Sequence, residues 1–208
     1  MTPPSPEYPS EQQPADPTVQ PVPAAVTATV DAADSTLQNP RTAVIALGSN
    51  LGNRLETLQG AVDALEDTPG VRVKAVSPVY ETDPWGVEAG TQSDYFNAVV
   101  LVRTTLPPQS LLERGHAIEE AYLRVRAERW GPRTIDVDIV AYQGVVSDDP
   151  ALTLPHPRAH ERGFVLVPWY DVEPAAELPG HGPVADLLAA VGREGVRLRS
   201  DVELRLPE

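Results

Sequence analysis

The chain contains no cysteine and a single lysine, Lys74, among its 208 residues. Without cysteine there are no disulfides, thiolate metal sites or cysteine nucleophiles, and a reducing compartment is mildly favoured. The lone lysine lies outside any G-x-x-x-x-G-K-[ST] context, which excludes a phosphate loop. Gly48-Ser49-Asn50-Leu51-Gly52-Asn53 likewise fails to fit the G-x-G-x-x-G of dinucleotide folds. No apolar run reaches 18 residues, so no membrane span is expected. Residues 1–40 have neither Lys nor Arg and no apolar signal core, which argues against a secretory or transit leader; the expected location is the cytoplasm. A formal net charge of -14 disfavours nonspecific nucleic-acid binding, because phosphate backbones are repelled overall.

Residues 1–40 hold nine of the 23 prolines and five acidic side chains, with few large apolar ones. Such a segment cannot bury enough surface to offset its ordering entropy and is expected to be a disordered tail. Regular patterning begins at Arg41. Thr42 to Leu47 reads as a buried strand ended by Gly48-Ser49-Asn50. A helix capped by Asn53 follows, with Leu55, Leu58, Val62 and Leu65 on one face and Pro69-Gly70 as its stop. Val71 to Tyr80 reads as a strand, Glu81 to Asp94 as a long loop, and Tyr95 to Thr104 as a strand with Tyr95, Asn97, Val99 and Leu101 on one face. Pro107 and Pro108 open a second helix with Leu111, Ile118 and Tyr122 inward, and Thr134 to Tyr142 is a further strand. The order strand, helix, strand, strand, helix, strand is that of a ferredoxin-like βαββαβ sandwich, an α+β fold. The expected organisation is a tail over 1–40, a domain over 41–192 and a C-terminal extension over 193–208. Residues 147–208 are expected to decorate the core, with a short helix at Val184 to Val191; Val196 to Leu206 alternates and fits either a strand or a loose tail.

The most charged stretch is Arg124 to Val140, RVRAERWGPRTIDVDIV. Asp136 and Asp138 are two apart on a strand, so their side chains share a face and their Cα atoms stand roughly 6.6 Å apart. Paired carboxylates at that spacing can hold two magnesium ions, whose other positions go to water and substrate phosphates. The plainer alternative is the solvated half of an edge strand. Arg124, Arg126, Arg129 and Arg133 carry planar forks that match phosphate oxygens, or else they pair with Glu119, Glu120 and Glu128. Trp130-Gly131-Pro132 breaks the stretch into a mobile arginine loop, with Trp130 either stacking on a flat ring or anchoring the loop. His156 and His160 have helix-pair spacing, but Pro157 follows the first and no third ligand is evident; an anion contact by His156 is the better reading.

Six strings together resemble the 6-hydroxymethyl-7,8-dihydropterin pyrophosphokinase family. They are A-L-G-S-N-L-G-N-R at Ala46 to Arg54, Y-E-T-D-P-W-G at Tyr80 to Gly86, D-Y-F-N-A at Asp94 to Ala98, E-R-W-G-P-R-T-I-D-V-D at Glu128 to Asp138, and L-P-H-P with E-R-G-F between Leu154 and Phe164. The resemblance runs from about Thr42 to Pro168 and implies transfer of the β,γ-pyrophosphoryl group of ATP to a pterin hydroxymethyl, with AMP released. It implies Asp136 and Asp138 as ligands of two magnesium ions and Arg124, Arg126 and Arg133 as loop arginines that contact ATP. It further implies Glu119, Trp130, Thr153, His156 and Arg162 at nucleotide positions, and Thr82, Trp85, Tyr95, Asn97, Trp130 and Phe164 around the pterin. The implied partners are small molecules only, with no nucleic acid or membrane, and a monomer is expected. Two rival readings are an ADP-releasing kinase and a non-catalytic pterin or nucleotide-binding module on the same fold. Departures from the family pattern are Leu123 for a glycine, one residue fewer between Arg126 and Trp130, Asp83 for a proline and His116 for a glutamine.

Overall fold

The computed structural model describes residues 39–84, 93–122 and 134–207. The first elements among these residues are β1 (Arg41–Ser49), α1 (Arg54–Glu66), β2 (Val71–Val76), β3 (Tyr80–Thr82), β4 (Tyr95–Thr104), α2 (Pro108–Ala121) and β5 (Asp136–Tyr142). A hairpin of β6 (Ser147–Asp149) and β7 (Leu152–Leu154) follows, then α3 (Gly163–Val172), β8 (Glu177–Leu178), β9 (Gly182–Pro183), α4 (Val184–Val191) and β10 (Val196–Leu198).

Local chemistry sets the early boundaries. The Asn53 side chain accepts from the Glu56 N–H at 3.3 Å and caps α1. Gly70 takes φ +83 after the helix, and a Cβ there would come within 2.6 Å of the Thr105 hydroxyl, so both backbone and space demand glycine. The strand expected over Val71 to Tyr80 is two strands. Pro78 has no N–H for the ladder, and the Ser77 hydroxyl accepts the Val99 N–H at 2.9 Å in place of a backbone carbonyl. β2 runs along the Val100 to Thr104 half of β4 and β3 along Tyr95 to Asn97. Glu81 and Thr82 therefore belong to a strand rather than to the expected loop. The arginine-rich connection hands over to β5 at Asp136, two residues later than expected.

The sheet order is β10-β3-β4-β1-β5, antiparallel at every pairing, with β2 also on β4. With β2 and β3 taken as one interrupted strand, the central four form the ferredoxin-like arrangement. Strand alternation sends Ala43, Ile45, Leu47, Ala98, Val100, Val102, Val137 and Ile139 toward α1 and α2. There they meet Leu58, Ala61, Val62, Leu65, Leu111 and Ile118, each large side chain contributing about 1.5–3 kcal/mol by leaving water.

On the opposite face the C-terminal elements expected to decorate the core build a second core of their own. Val44, Val99, Leu101 and Val140 pack against Val165, Leu166 and Trp169 of α3 and Val184 and Leu188 of α4. A sheet covered on both faces explains why β1 and β4 read as nearly continuous apolar runs. The alternating C-terminal segment resolves into β10, which pairs Val196 with Thr82 and Leu198 with Tyr80.

Candidate active site

The polar residues of the sheet collect on the face that α3 and α4 only partly cover. Register places Tyr80 beside Asn97, Asn97 beside Gly48, and Gly48 beside Asp136. On the next rung Val99 lies beside Ala46 and Ala46 beside Asp138. Thr82 pairs with Tyr95 one rung further out. Three strands thus carry Thr82, Tyr95, Asn97, Asp136 and Asp138 to one surface, with Gly48 of β1 between them, as the period of two requires.

Asn97 is buried, and its Nδ2 donates to the Thr82 hydroxyl at 2.9 Å. A Cβ placed on Gly48 would stand 3.5 Å from Asn97 Oδ1, 3.9 Å from Asp136 Cβ and 3.9 Å from Tyr95 Cδ1. Gly48 is therefore the open floor between the amide and the first carboxylate. Sequence reading treated it only as a strand terminator; its role is legible once β1 is known to lie between β4 and β5.

Asp136 and Asp138 are half-buried on β5, and Arg162 Nη1 lies 3.9 Å from Asp138 Oδ2. Two hard oxygen donors on one strand face, still open to water, fit magnesium, which needs only one or two protein carboxylates. Among the described residues, no group of three or more acidic or imidazole side chains could hold a metal. Glu119, only 3% exposed, is set into the seam of α2 and β5, where its Oε1 accepts the Val137 N–H at 3.0 Å. That bond fixes the strand between the two aspartates.

His156 reaches the same end of β5, its N–H donating to the Val140 carbonyl at 2.8 Å. Its Nδ1 accepts from the Arg158 N–H at 3.2 Å, so a neutral ring carries its proton on Nε2. Burial, and then the Arg162 charge, push His156 down to about 4, against the pull of its backbone hydrogen bond and Asp136. The ring is a neutral donor at physiological pH. Arg162 precedes α3, and its guanidinium carbon sits 5.5 Å from the ring centroid of Phe164 in the first turn. Thr153 on β7 donates its hydroxyl to the Asp149 carbonyl at 3.1 Å. His160 does not join His156; it stacks on His181 with centroids 4.1 Å apart. Trp85, Arg124, Arg126, Trp130 and Arg133, with the expected arginine loop, lie outside the described residues.

Two further residues that brace the strand ends behind the pocket were missed from sequence. Asn50 Nδ2 donates to the Ser93 carbonyl at 3.2 Å. Arg54 Nη1 donates to the Asp94 carbonyl at 2.7 Å and to Glu81 Oε1 at 2.9 Å, while its guanidinium lies 3.7 Å from the Phe96 ring centroid. Both sit inside the A-L-G-S-N-L-G-N-R string, so the signal was present without its partners.

Residues 44–174 match the family model of 7,8-dihydro-6-hydroxymethylpterin-pyrophosphokinase. A 2-amino-4-hydroxy-6-hydroxymethyldihydropteridine pyrophosphokinase of Methylorubrum extorquens is 45% identical over 155 residues, covering 74% of this chain and 96% of the relative. The enzyme of the same name from Mycobacterium tuberculosis is 44% identical over 172 residues, covering 74% of this chain and 88% of its own. Among solved structures, wild-type Plasmodium falciparum HPPK-DHPS with pteroate superposes at a TM-score of 0.57 and 15% identity, a likeness of fold. It covers 73% of this chain and 42% of that longer one, so this chain spans less than half of the Plasmodium protein. On the family match and the identity to its bacterial relatives, the chain belongs to the 7,8-dihydro-6-hydroxymethylpterin-pyrophosphokinase family.

Proposed function

We infer that this chain transfers the terminal diphosphate of ATP to the hydroxymethyl oxygen of 6-hydroxymethyl-7,8-dihydropterin, releasing AMP, as a step in making folate. The observation that carries the reading is the row Asn97, Gly48, Asp136 across β4, β1 and β5. It sets an amide reader and a carboxylate two strand spacings apart, roughly 9.6 Å, with a glycine as the strand residue between them. A flat two-ring substrate fits over that gap, with its amide edge at Asn97 and its hydroxymethyl group toward Asp136.

Each residue then has a chemical task. Thr82 holds the Asn97 amide so that its carbonyl oxygen is turned to the open floor, where it accepts from a ring N–H. Tyr95 and Phe164 offer stacking faces, and the resemblance assigns Trp85 and Trp130 to the same ring. His156 donates from Nε2 to the nucleotide, Arg162 supplies fixed positive charge beside Asp138, Thr153 lies on the nucleotide side, and Glu119 serves that side from within the seam by holding Val137 between the two aspartates. Arg124, Arg126 and Arg133 cover the phosphates with forked donors. Asp136 and Asp138 hold two magnesium ions, which when bound neutralise phosphate charge.

The hydroxymethyl oxygen attacks the β-phosphorus in line with the departing AMP oxygen. The bond from the β-phosphorus to the α,β-bridging oxygen breaks and leaves that oxygen on AMP, the new P–O bond forms to the pterin oxygen, and the hydroxyl proton passes to water. Such transfers depend mainly on positioning and on charge held at the transferring group. Incubation with ATP, magnesium and the hydroxymethyl pterin is expected to yield AMP and the pterin diphosphate in equal amounts. ADP as the nucleotide product would replace this reading with an ordinary kinase, and binding of both ligands without turnover would replace it with a binding module.

A further inference from the structure

The pterin side of the site ends at the rung pairing Thr82 with Tyr95, and β3 is only three residues long. So short a strand has only three ladder pairs with β4 to hold its position. Its outer neighbour is β10, also three residues, which lies beyond the family-matched residues 44–174. Register sets Val196 beside Thr82 and Arg197 beside Glu81, so Arg197 shares a face with Glu81 and Asp83 while Thr82 faces the pocket. Val196 packs into the α3 core from the Thr82 side.

Arg197 spans the end of the ladder. Its Nη1 donates to Asp83 Oδ1 at 2.9 Å and its Nη2 to Asp94 Oδ2 at 2.8 Å. Asp83 directly follows Thr82 and Asp94 directly precedes Tyr95, so one planar fork grips the residues next to both pocket side chains. Two carboxylates flanking one rung repel, and the guanidinium between them turns that repulsion into attraction. Arg199 repeats the device one step along: its Nη1 lies 3.1 Å from Glu81 Oε2, and Arg54 holds the other oxygen of Glu81 at 2.9 Å. Asp201 in turn orients Arg199 through two bonds, at 2.8 Å and 2.7 Å.

We propose that Arg197 is a positioning residue for pterin recognition, fixing Thr82 and Tyr95 from the back of the sheet through Asp83 and Asp94. This rests on the assignment of Thr82 and Tyr95 to the pterin pocket. Arg197 and its partners are substantially exposed, at 46%, 71% and 39% for Arg197, Asp83 and Asp94. Exposed pairs add little to global stability, so the effect is local and salt-sensitive.

The test compares wild type, Arg197→Ala, Arg197→Lys and the triple variant Asp83→Asn, Asp94→Asn, Arg197→Ala in steady-state AMP formation, with melting followed in parallel. Arg197→Ala is expected to raise KM for the hydroxymethyl pterin about tenfold, with KM for ATP, kcat and Tm close to wild type. Arg197→Lys keeps the charge but not the fork and should fall between the two. The triple variant, freed of the repelling carboxylates, should recover part of the pterin KM. An unchanged pterin KM in Arg197→Ala would overturn the proposal, as would equal losses for both substrates accompanied by a lower Tm. Absence of AMP formation by wild type would instead overturn the functional reading itself.

Discussion

Gly48→Ala separates folding from function at a single atom. The added methyl would meet Asn97 Oδ1 at 3.5 Å and carbons of Asp136 and Tyr95 at 3.9 Å, all ordinary contact distances. Nothing has to move, and Gly48 is not among the positive-φ glycines, so the backbone accepts alanine. Glycine within a strand is less favourable than alanine by about 0.5–1 kcal/mol, largely through the entropy of the unfolded chain. The variant should therefore melt about 1–4 °C higher. Catalysis should move the opposite way. The methyl occupies the floor between Asn97 and Asp136 and partly covers the acceptor oxygen of Asn97. A rigid ring resting there must rise by about 1 Å, and a misplacement of that size costs about 100-fold in rate. That corresponds to about 2.7 kcal/mol of transition-state stabilisation. The assay is kcat/KM for AMP formation at varied pterin, with melting followed by circular dichroism on the same preparation. Unimpaired turnover at an equal or higher Tm would refute the reasoning, because no substrate would then rest on Gly48. A lower Tm would refute the packing half of it.

Asn97→Ala removes the acceptor and leaves the buried Thr82 hydroxyl without its 2.9 Å donor; pterin affinity should fall about 10- to 100-fold with ATP affinity held, and comparable losses for both ligands in calorimetry would contradict the pocket. His156, pushed down to about 4 by burial first and Arg162 second, should keep a neutral ring through pH 5 in the magnesium-free protein, and an NMR titration centred near 6.5 would contradict this. Because its folded pKa lies below the unfolded value, the folded state binds fewer protons between about 6.5 and 4. The stability contribution is complete above 6.5 and declines as pH falls toward 4. Deleting residues 1–38 should leave kcat and both KM values within about twofold, since β1 begins at Arg41 and the family match at residue 44; a large drop would mean that the segment contributes to the site.

What the sequence disclosed about the fold follows from how each segment is buried. α1 announced itself because only one face is covered, which leaves Leu58, Val62 and Leu65 at helical spacing behind an Asn53 cap. α3 could not do so. Val165, Leu166, Val167, Pro168 and Trp169 are buried consecutively between the sheet and α4, so the run has no polar stripe to reveal a period, and Pro168 reads as a breaker. The break at Pro78 was visible as a residue but not as a boundary, because β2 and β3 continue along the same partner strand.

The site divides along a similar physical line. The side chains proposed to face the small ligands come from strand ends, so Asp136 with Asp138, and Tyr95 with Asn97, sit two residues apart and stand out as strings. Side chains that hold those strands in place act across the sheet, and their partners are set by register. Glu81 with Asp83 and Arg197 with Arg199 are matching two-residue charge steps that start on β3 and β10 and end one residue beyond them, yet 114 residues separate Asp83 from Arg197. Each step alone looks like a solvated strand face. Only the pairing of Arg197 with Glu81 turns them into a clasp, and that pairing exists because β3 has an open edge for β10 to occupy. An element beyond the family-matched residues can therefore bear on substrate recognition without contributing a residue to the pocket.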